Sequence, residues 1–271
     1  MNPWRIESNY SLATNIVIKS KLPKYGIVCS NPQRARRLAN KYLQSPKLTF
    51  DSWGIEVYIS SDDCIFFIAA VPVGAGGSAF AFHQMYVAGA EYLVRYGSND
   101  RKLTNKDLKD ILVVQEADNI FGLMRATHYD ESLWGAPIPS SESLFNTVVN
   151  QTKKHNAIPK IAVCHHVEDY HTIAFPDELP IHLSTKAKSN AQDIENRHAE
   201  LTQTWDMESA ALFLKAKQFG KHAVTVLQNV LKHTPGLELP YEGHHGETAL
   251  EMEDLIFNII KSSFHNLETG N

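Results

Sequence analysis

The sequence predicts an α/β protein in which helices flank one mixed or mostly parallel β-sheet. Short β-rich runs alternate with segments of helical spacing along the chain, the pattern of strands joined by crossover helices. One alternation contains the glycine-rich run Gly74 to Gly77, which is typical of the first turn of a βαβ unit. We predict a single domain over residues 1–271, with an N-terminal extension at residues 1–24.

The first half of the chain alternates between predicted strands and helices. Tyr25 to Cys29 is an apolar run that stops at Ser30-Asn31-Pro32, and a helical pattern starts directly after it. The next predicted elements are a hairpin formed by Gly54 to Ile59 and Cys64 to Val73, a helix over Ala79 to Gly89 and a strand over Glu91 to Tyr96.

The second half continues the alternation. The predicted strands are Ile111 to Glu116, Lys160 to His165 and Ala223 to Leu227, and the predicted helices are Ser141 to His155, Asp206 to Phe219 and the amphipathic Ala249 to Phe264. Asp177 to Gln203 is polar with few apolar residues, so we expect a mobile surface segment at 177–203.

Composition argues against nucleic-acid and membrane partners. Lysine and arginine number 26 against 30 aspartates and glutamates, so the chain has no basic surplus for a phosphate backbone. The longest apolar stretch, Cys64 to Gly77, is too short to span a bilayer, and no secretory signal is visible at the N-terminus. Three widely spaced cysteines are expected to be reduced thiols. These features predict a cytoplasmic protein.

Three short segments are suited to a small anion and a polar ligand. Ser30 to Arg34 places backbone amides and a guanidinium where a strand meets a helix. Arg95-Tyr96-Gly97-Ser98 puts an arginine at the end of a strand, followed by a glycine turn and a hydroxyl. Asp206-Met207-Glu208 opens a helix with two carboxylates. Each segment also has a purely structural interpretation, as a plain turn, a surface ion pair or favourable helix N-terminal charges.

The order and spacing of these segments resemble the purine and uridine nucleoside phosphorylase family, particularly its uridine phosphorylase branch. Four motifs carry the resemblance. The family's Gly-Asp-Pro-x-Arg phosphate loop is similar to Ser30-Asn31-Pro32-Gln33-Arg34, and its Gly-x-Gly-Gly turn is similar to Gly74-Ala75-Gly76-Gly77. Its Leu-Gly-Ala-x-x-x-x-Arg-x-Gly-Ser/Thr segment is similar to Ala88-Gly89-Ala90 through Ser98, and its Glu-Met-Glu-Ser-Ala segment is similar to Asp206-Met207-Glu208-Ser209-Ala210. They occur in the family's order over roughly two hundred residues. The resemblance implies a nucleoside phosphorylase-like fold and a ligand site at strand ends.

The resemblance also implies a role for each matching residue. The expected catalytic residues are Arg34, Arg95, Glu208 and Asn229. Phosphate would be bound by Ser30, Arg34, Arg95 and Ser98. The ribose would be bound by Met207 and Glu208, and the base by Tyr170, Gln228 and Asn229. The implied reaction is phosphate-dependent cleavage of a nucleoside to free base and ribose 1-phosphate, with inorganic phosphate as co-substrate and no further cofactor. The family also implies a homodimer or a hexamer built as a trimer of dimers.

Several positions depart from the family pattern, and they leave other functions open. Ser30 and Asn31 replace glycine and aspartate, Leu48 stands where a neighbouring subunit's arginine is expected, and Asp100 adds a carboxylate near the anion site. A nucleosidase that uses water and a catalytically degenerate binding paralogue are therefore alternatives.

The identity of the base is also open. An asparagine amide at 229 can serve a 6-oxopurine through N7 and O6, which favours that class slightly over uridine.

The run Cys164-His165-His166 with Glu168 and Asp169 invites a metal interpretation, which we do not adopt. Adjacent residues on a strand point to opposite faces, and the spacing matches no common metal motif. We expect no metal site.

Overall fold

The computed structural model describes residues 17–62, 64–99, 110–117, 136–167, 202–229 and 247–270. The strands are β1 (Tyr25–Cys29), β2 (Lys47–Ser52), β3 (Ile55–Ile59), β4 (Phe66–Ala70), β5 (Tyr92–Asn99), β6 (Ile111–Ala117), β7 (Ile138–Pro139), β8 (Pro159–His166), β9 (Thr202–Asp206) and β10 (His222–Asn229). The helices are α1 (Pro32–Tyr42), α2 (Ala75–Val87), α3 (Glu142–Lys154), α4 (Ser209–Phe219) and α5 (Glu247–Thr269).

All ten strands belong to one mixed sheet with the order β2-β3-β4-β1-β5-β10-β6-β8-β9, and β7 pairs with β6. The central pairs β4-β1, β1-β5 and β5-β10 are parallel, as are β6-β8 and β8-β9. The β10-β6 pair and the β2-β3-β4 meander are antiparallel. The predicted single mixed α/β domain is confirmed.

Helices cover both faces of the sheet because central strands are apolar on both sides. The core on one face contains residues of α1, α3 and α5, and the core on the other contains residues of α2 and α4. The sheet also curls, since the backbone N–H of Trp205 on β9 donates to Asn99 Oδ1 on β5 at 3.1 Å. This curl brings the carboxyl ends of β9 and β5 together.

Three predicted boundaries near the ligand motifs were wrong. The strand at Arg95 does not end at Tyr96 but continues through Gly97 to Asn99, paired in register with β10. Helix α2 begins at Ala75, so the glycine-rich run is its first turn, and only Gly74 with φ of 89° precedes it. Asp206 is the last residue of β9, and helix α4 begins three residues later.

Other predictions fall partly or wholly outside the described residues. Residues 1–16 of the predicted extension are outside them, as is most of the 177–203 segment. Its last two residues belong to β9, and Gln203 is buried, so the segment's end is not a surface loop. No helix within the described residues is long and apolar enough to cross a membrane.

Candidate functional site

Arg95 lies at the centre of the polar cluster that the fold assembles. Its side chain is only 3% exposed and meets two carboxylates from the β9-α4 connection. Nε donates to Asp206 Oδ2 at 2.9 Å, Nη2 pairs with the other Asp206 oxygen, and Nη2 also lies 2.5 Å from Glu208 Oε2. On its other side, Nη1 donates to Ser30 Oγ at 2.8 Å. Arg95 therefore links β5 with β9 and with the end of β1.

Gly97 has a different role from the predicted turn. It lies two residues after Arg95 on the same strand, so both residues face the same side of the sheet. A Cβ atom at this position would be 2.8 Å from Arg95 Nη2 and 2.7 Å from Leu227 Cδ2. The glycine therefore provides the space in which the guanidinium folds back over its own strand.

Asp206 holds both Arg95 and the start of α4. Its Oδ2 accepts hydrogen bonds from the backbone N–H of Ser209 at 2.7 Å and of Glu208 at 3.3 Å, and also from the Ser209 hydroxyl. Burial alone would raise the pKa of this carboxyl, but Arg95 and the Ser209 hydrogen bonds outweigh it and lower the pKa to about 2. Asp206 is therefore a carboxylate at neutral pH.

The Glu208 carboxyl is held by fewer hydrogen bonds than that of Asp206. Its Oε1 accepts a 2.7 Å hydrogen bond from the backbone N–H of Gly74, and its Oε2 contacts Arg95. Burial raises the pKa of Glu208 to about 7, with Arg95 opposing this shift and Asp206 adding to it. A carboxyl of this kind can change protonation state near neutral pH, a property common at functional sites. Met207, half-buried, lies between the two carboxylates in sequence.

Arg34 approaches the same end of the sheet from the opposite face. It lies in the first turn of α1, is 3% exposed, and donates from Nη2 to Ser98 Oγ at 2.8 Å. Its guanidinium also lies 4.5 Å from the centroid of the Tyr96 ring. Strand β1 ends at Cys29, while its neighbour β5 continues to Asn99. Arg95 contacts Ser30 and Arg34 contacts Ser98 just beyond the end of β1.

The buried thiol of Cys29 lies near both guanidinium groups. Burial raises its pKa to about 11, whereas the positive charges of Arg34 and Arg95 both act to lower that pKa. Both guanidinium groups are therefore close enough to Cys29 to affect its ionisation. Arg95 contacts Glu208 directly, whereas Arg34 contacts Ser98 and Tyr96 at the same strand ends.

The amides at the start of α1 are not arranged as expected. Asn31 is the N-cap of the helix, and its Oδ1 accepts from the backbone N–H groups of Gln33 at 2.9 Å and Arg34 at 3.2 Å. These amides are therefore occupied within the helix cap. An anion at this end of the sheet would depend on side chains such as Ser30, Arg34 and Arg95.

A third carboxylate, Glu253 of α5, was not predicted from the sequence. Its Oε2 lies 3.6 Å from Arg34 Nε and 2.8 Å from Arg37 Nη2. Charged groups therefore lie on both faces at these strand ends: Arg95 with Asp206 and Glu208 on one face, and Arg34 and Arg37 with Glu253 on the other. The sequence signal for Glu253 is weak, because an acidic residue on an amphipathic helix is ordinarily interpreted as solvent-facing.

Of the residues expected to bind the base, Gln228 and Asn229 lie on opposite faces of the sheet. The Gln228 side chain accepts from the Tyr96 hydroxyl and donates from Nε2 to the Ala249 carbonyl at 2.9 Å, on the face covered by α5. Asn229 lies on the Arg95 face, where its Oδ1 accepts from Asn99 Nδ2 at 2.8 Å. Tyr170 lies outside the described residues.

The remaining site expectations concern metals and disulfides. Within the described residues, no group of three or more histidine, cysteine, aspartate or glutamate side chains could hold a metal ion. His165 and His166 are buried at the end of β8, and Cys29, Cys64 and Cys164 are separate thiols.

Fold and site together define a mixed α/β protein with a buried arginine-carboxylate cluster at the carboxyl ends of parallel strands. Ligand sites in open α/β sheets usually occupy such ends. No protein-family model matches this chain, and no curated protein matches it either.

Proposed function

We propose that this chain is a nucleoside phosphorylase, which cleaves a nucleoside with inorganic phosphate to free base and ribose 1-phosphate. The observation that carries the proposal is the contact of Arg95 with both Glu208 and Ser30, with Arg34 bonded to Ser98 at the same strand ends. Together with the motif resemblance, this contact supports a site in which these side chains would bind phosphate and Glu208 would hold the sugar. Met207, next to Glu208, would pack against the ribose.

Each group has a role in the proposed reaction. As the glycosidic bond lengthens, C1′ gains oxocarbenium character, as in glycoside hydrolysis. Arg34 and Arg95, assisted by Ser30 and Ser98, would hold phosphate in line with C1′, and this positioning lowers the barrier. Glu208 would accept hydrogen bonds from the ribose 2′ and 3′ hydroxyls, and the departing base needs a hydrogen-bond donor nearby.

The hydrogen bonds around Asn229 support a donor at the base. The backbone N–H of Trp205 can only donate, so it must face the oxygen of Asn99. The Asn99 amide nitrogen then faces the oxygen of Asn229, and the Asn229 amide nitrogen is turned away from Asn99. A donor at this position suits the N7 and O6 acceptors of a 6-oxopurine, which we propose slightly ahead of uridine. The internal contacts of Gln228 make Asn229 the stronger candidate of the two, and we retain Tyr170 as the proposed stacking residue.

A nucleosidase is the second candidate, and one observation favours it. Arg95 is already paired with two carboxylates, and Arg34 shares Glu253 with Arg37. Guanidinium groups that are neutralised within the protein attract a phosphate dianion less strongly. Hydrolysis would avoid this cost because water carries no charge.

Phosphate dependence separates the two candidates. The protein should be incubated with inosine, guanosine, adenosine and uridine, with and without inorganic phosphate, while free base and ribose 1-phosphate are measured. A phosphorylase should release base only with phosphate and form one ribose 1-phosphate per base. Equal base release without phosphate would identify a nucleosidase. Binding of ribose 1-phosphate and bases without any turnover would indicate a degenerate binding protein.

We also propose that the chain forms a homo-oligomer, either a dimer or a trimer of dimers, in the cytosol. The support is exposed apolar surface: Trp53, in the turn between β2 and β3, is 71% exposed and contacts Phe80, and Val73, after β4, is 63% exposed. Sedimentation equilibrium should give a mass of two or six times 30.4 kDa, and Trp53→Ser should shift it towards the monomer. A monomer at micromolar concentration in the unchanged protein would contradict this proposal.

A further inference from the structure

Arg95 interacts with more negative charge than one guanidinium can neutralise. Four of its five N–H groups are used, two by Asp206, one by Glu208 and one by Ser30. Two buried carboxylates on one guanidinium leave this part of the cluster with a net negative charge. An incoming anion would therefore be opposed until one carboxylate loses its charge or moves.

Asp206 is not the carboxylate that can be displaced from Arg95. It forms two hydrogen bonds with Arg95 and accepts from the backbone N–H groups of Glu208 and Ser209 at the start of α4. Displacing it would leave those amides and the guanidinium without these partners, which is costly in a buried site. Glu208 has one contact each with Arg95, the Gly74 amide and the Ser30 hydroxyl, so its displacement breaks fewer hydrogen bonds than that of Asp206 would.

The groups that face Glu208 come from four parts of the fold. They are Arg95 on β5, Asp206 at the end of β9, the Ser30 hydroxyl after β1 and the Gly74 amide before α2. Two thiols lie close to the same charges, but burial raises the pKa of Cys29 to about 11 and that of Cys164 well above its ordinary value. Around neutral pH, Glu208 is therefore the group of this set whose charge can change.

We propose that Glu208 closes the anion site as a carboxylate and opens it as a carboxylic acid, so that an anion enters together with one proton. This inference rests on the proposed function, because it assigns the anion to the Arg95 site. Protonation releases Arg95 Nη2 from Glu208 and removes one negative charge, so the guanidinium can bind a ligand oxygen. The bound anion in turn favours the neutral form of Glu208, whose carbonyl oxygen can still accept from a ribose hydroxyl.

Since burial raises the pKa of Glu208 to about 7, the linkage falls in an accessible pH range. Below this pH the site is already open and anion affinity should be constant. Above it, each binding event takes up a proton, so affinity should fall by about tenfold per pH unit.

Sulfate is the appropriate probe because it remains a dianion where phosphate changes its own charge. Isothermal titration of the full chain with sulfate from pH 5.5 to 8.5, in pairs of buffers with different ionisation enthalpies, measures both affinity and proton uptake. We expect uptake to rise towards one proton per sulfate above pH 7. In Glu208→Gln, the affinity should be independent of pH and close to that of the unchanged protein at low pH.

Glu142→Gln is the matched control, because Glu142 is exposed in the first turn of α3. It should keep the pH dependence of the unchanged protein. A pH-independent affinity in the unchanged protein, a persistent pH dependence in Glu208→Gln, or no sulfate binding at any pH would each overturn the inference. Phosphorolysis is measured separately, so a failure of this linkage can be told apart from a failure of the proposed reaction.

Discussion

Arg95→Met is expected to destabilise the protein by about 3–5 kcal/mol at pH 7, because it leaves buried carboxyl groups without their cation. Asp206 is a carboxylate under these conditions, and Arg95 is the one cation that pairs with it among the described residues. Methionine preserves most of the side-chain volume, so the change reports mainly on charge and hydrogen bonding. Denaturant unfolding at pH 7 measures the free energy of unfolding.

A surface lysine provides the comparison for Arg95→Met. Lys41 pairs with Asp254, and the side chains are 57% and 43% exposed, so Lys41→Met should cost no more than about 1 kcal/mol. The destabilisation by Arg95→Met should shrink as the pH is lowered, because protonation removes the unpaired negative charges. An unfolding midpoint unchanged from that of the parent protein would show that Arg95 does not hold this cluster together.

Glu208→Ala is expected to lower kcat/KM for the preferred nucleoside by at least about a hundredfold, equivalent to about 2.7 kcal/mol of transition-state stabilisation. The loss follows because the ribose hydroxyls would have no carboxyl group to align the sugar with phosphate. Initial rates of phosphorolysis over a range of nucleoside concentrations measure it. Glu142→Ala, on the exposed face of α3, should retain full activity. Retention of activity in Glu208→Ala would remove Glu208 from the mechanism.

The same variant should remain folded, in contrast to Arg95→Met. Removing Glu208 leaves Arg95 bonded to Asp206, so one guanidinium faces one carboxylate. The pKa of Glu208 is raised from 4.5 to about 7 in the folded protein. Between these values the unfolded chain releases a proton that the folded protein keeps, so this group's contribution to stability falls as pH rises. Above pH 7, removing the Glu208 carboxyl also removes its unfavourable contribution to the free energy of unfolding, which offsets the loss of the hydrogen bond to the Gly74 amide.

Strand positions could be predicted from the sequence better than strand ends. Apolar runs revealed β1, β4 and the first half of β6, since these segments are buried on both faces. The end of β5 was missed because Gly97, Ser98 and Asn99 have little intrinsic β preference. Pairing with Leu227, Gln228 and Asn229 on β10 holds them in the sheet nevertheless. Tertiary pairing overrode local propensity.

The candidate site was predictable in its residue types but not in its charge balance. Arg95 contacts Glu208, and Arg34 bonds to Ser98 at the neighbouring strand ends, while the roles that the resemblance implies for them stay predictions. The pairing of Arg34 and Arg37 with Glu253 depends on how α5 packs against α1, which no local pattern specifies. Asn31 as an N-cap was readable in principle, because an asparagine followed by proline commonly begins a helix.

One carboxylate oxygen of Asp206 contacts both a guanidinium group and the start of a helix, because Oδ2 accepts hydrogen bonds from Arg95 Nε and from the Ser209 amide. We expect a ligand that rotates Arg95 to remove one hydrogen bond from this oxygen and so to alter its bonds to the first turn of α4. The solvent exchange of the amide protons of Glu208 and Ser209 therefore reports on occupancy several bonds away. A backbone measurement could follow binding without any label on the ligand.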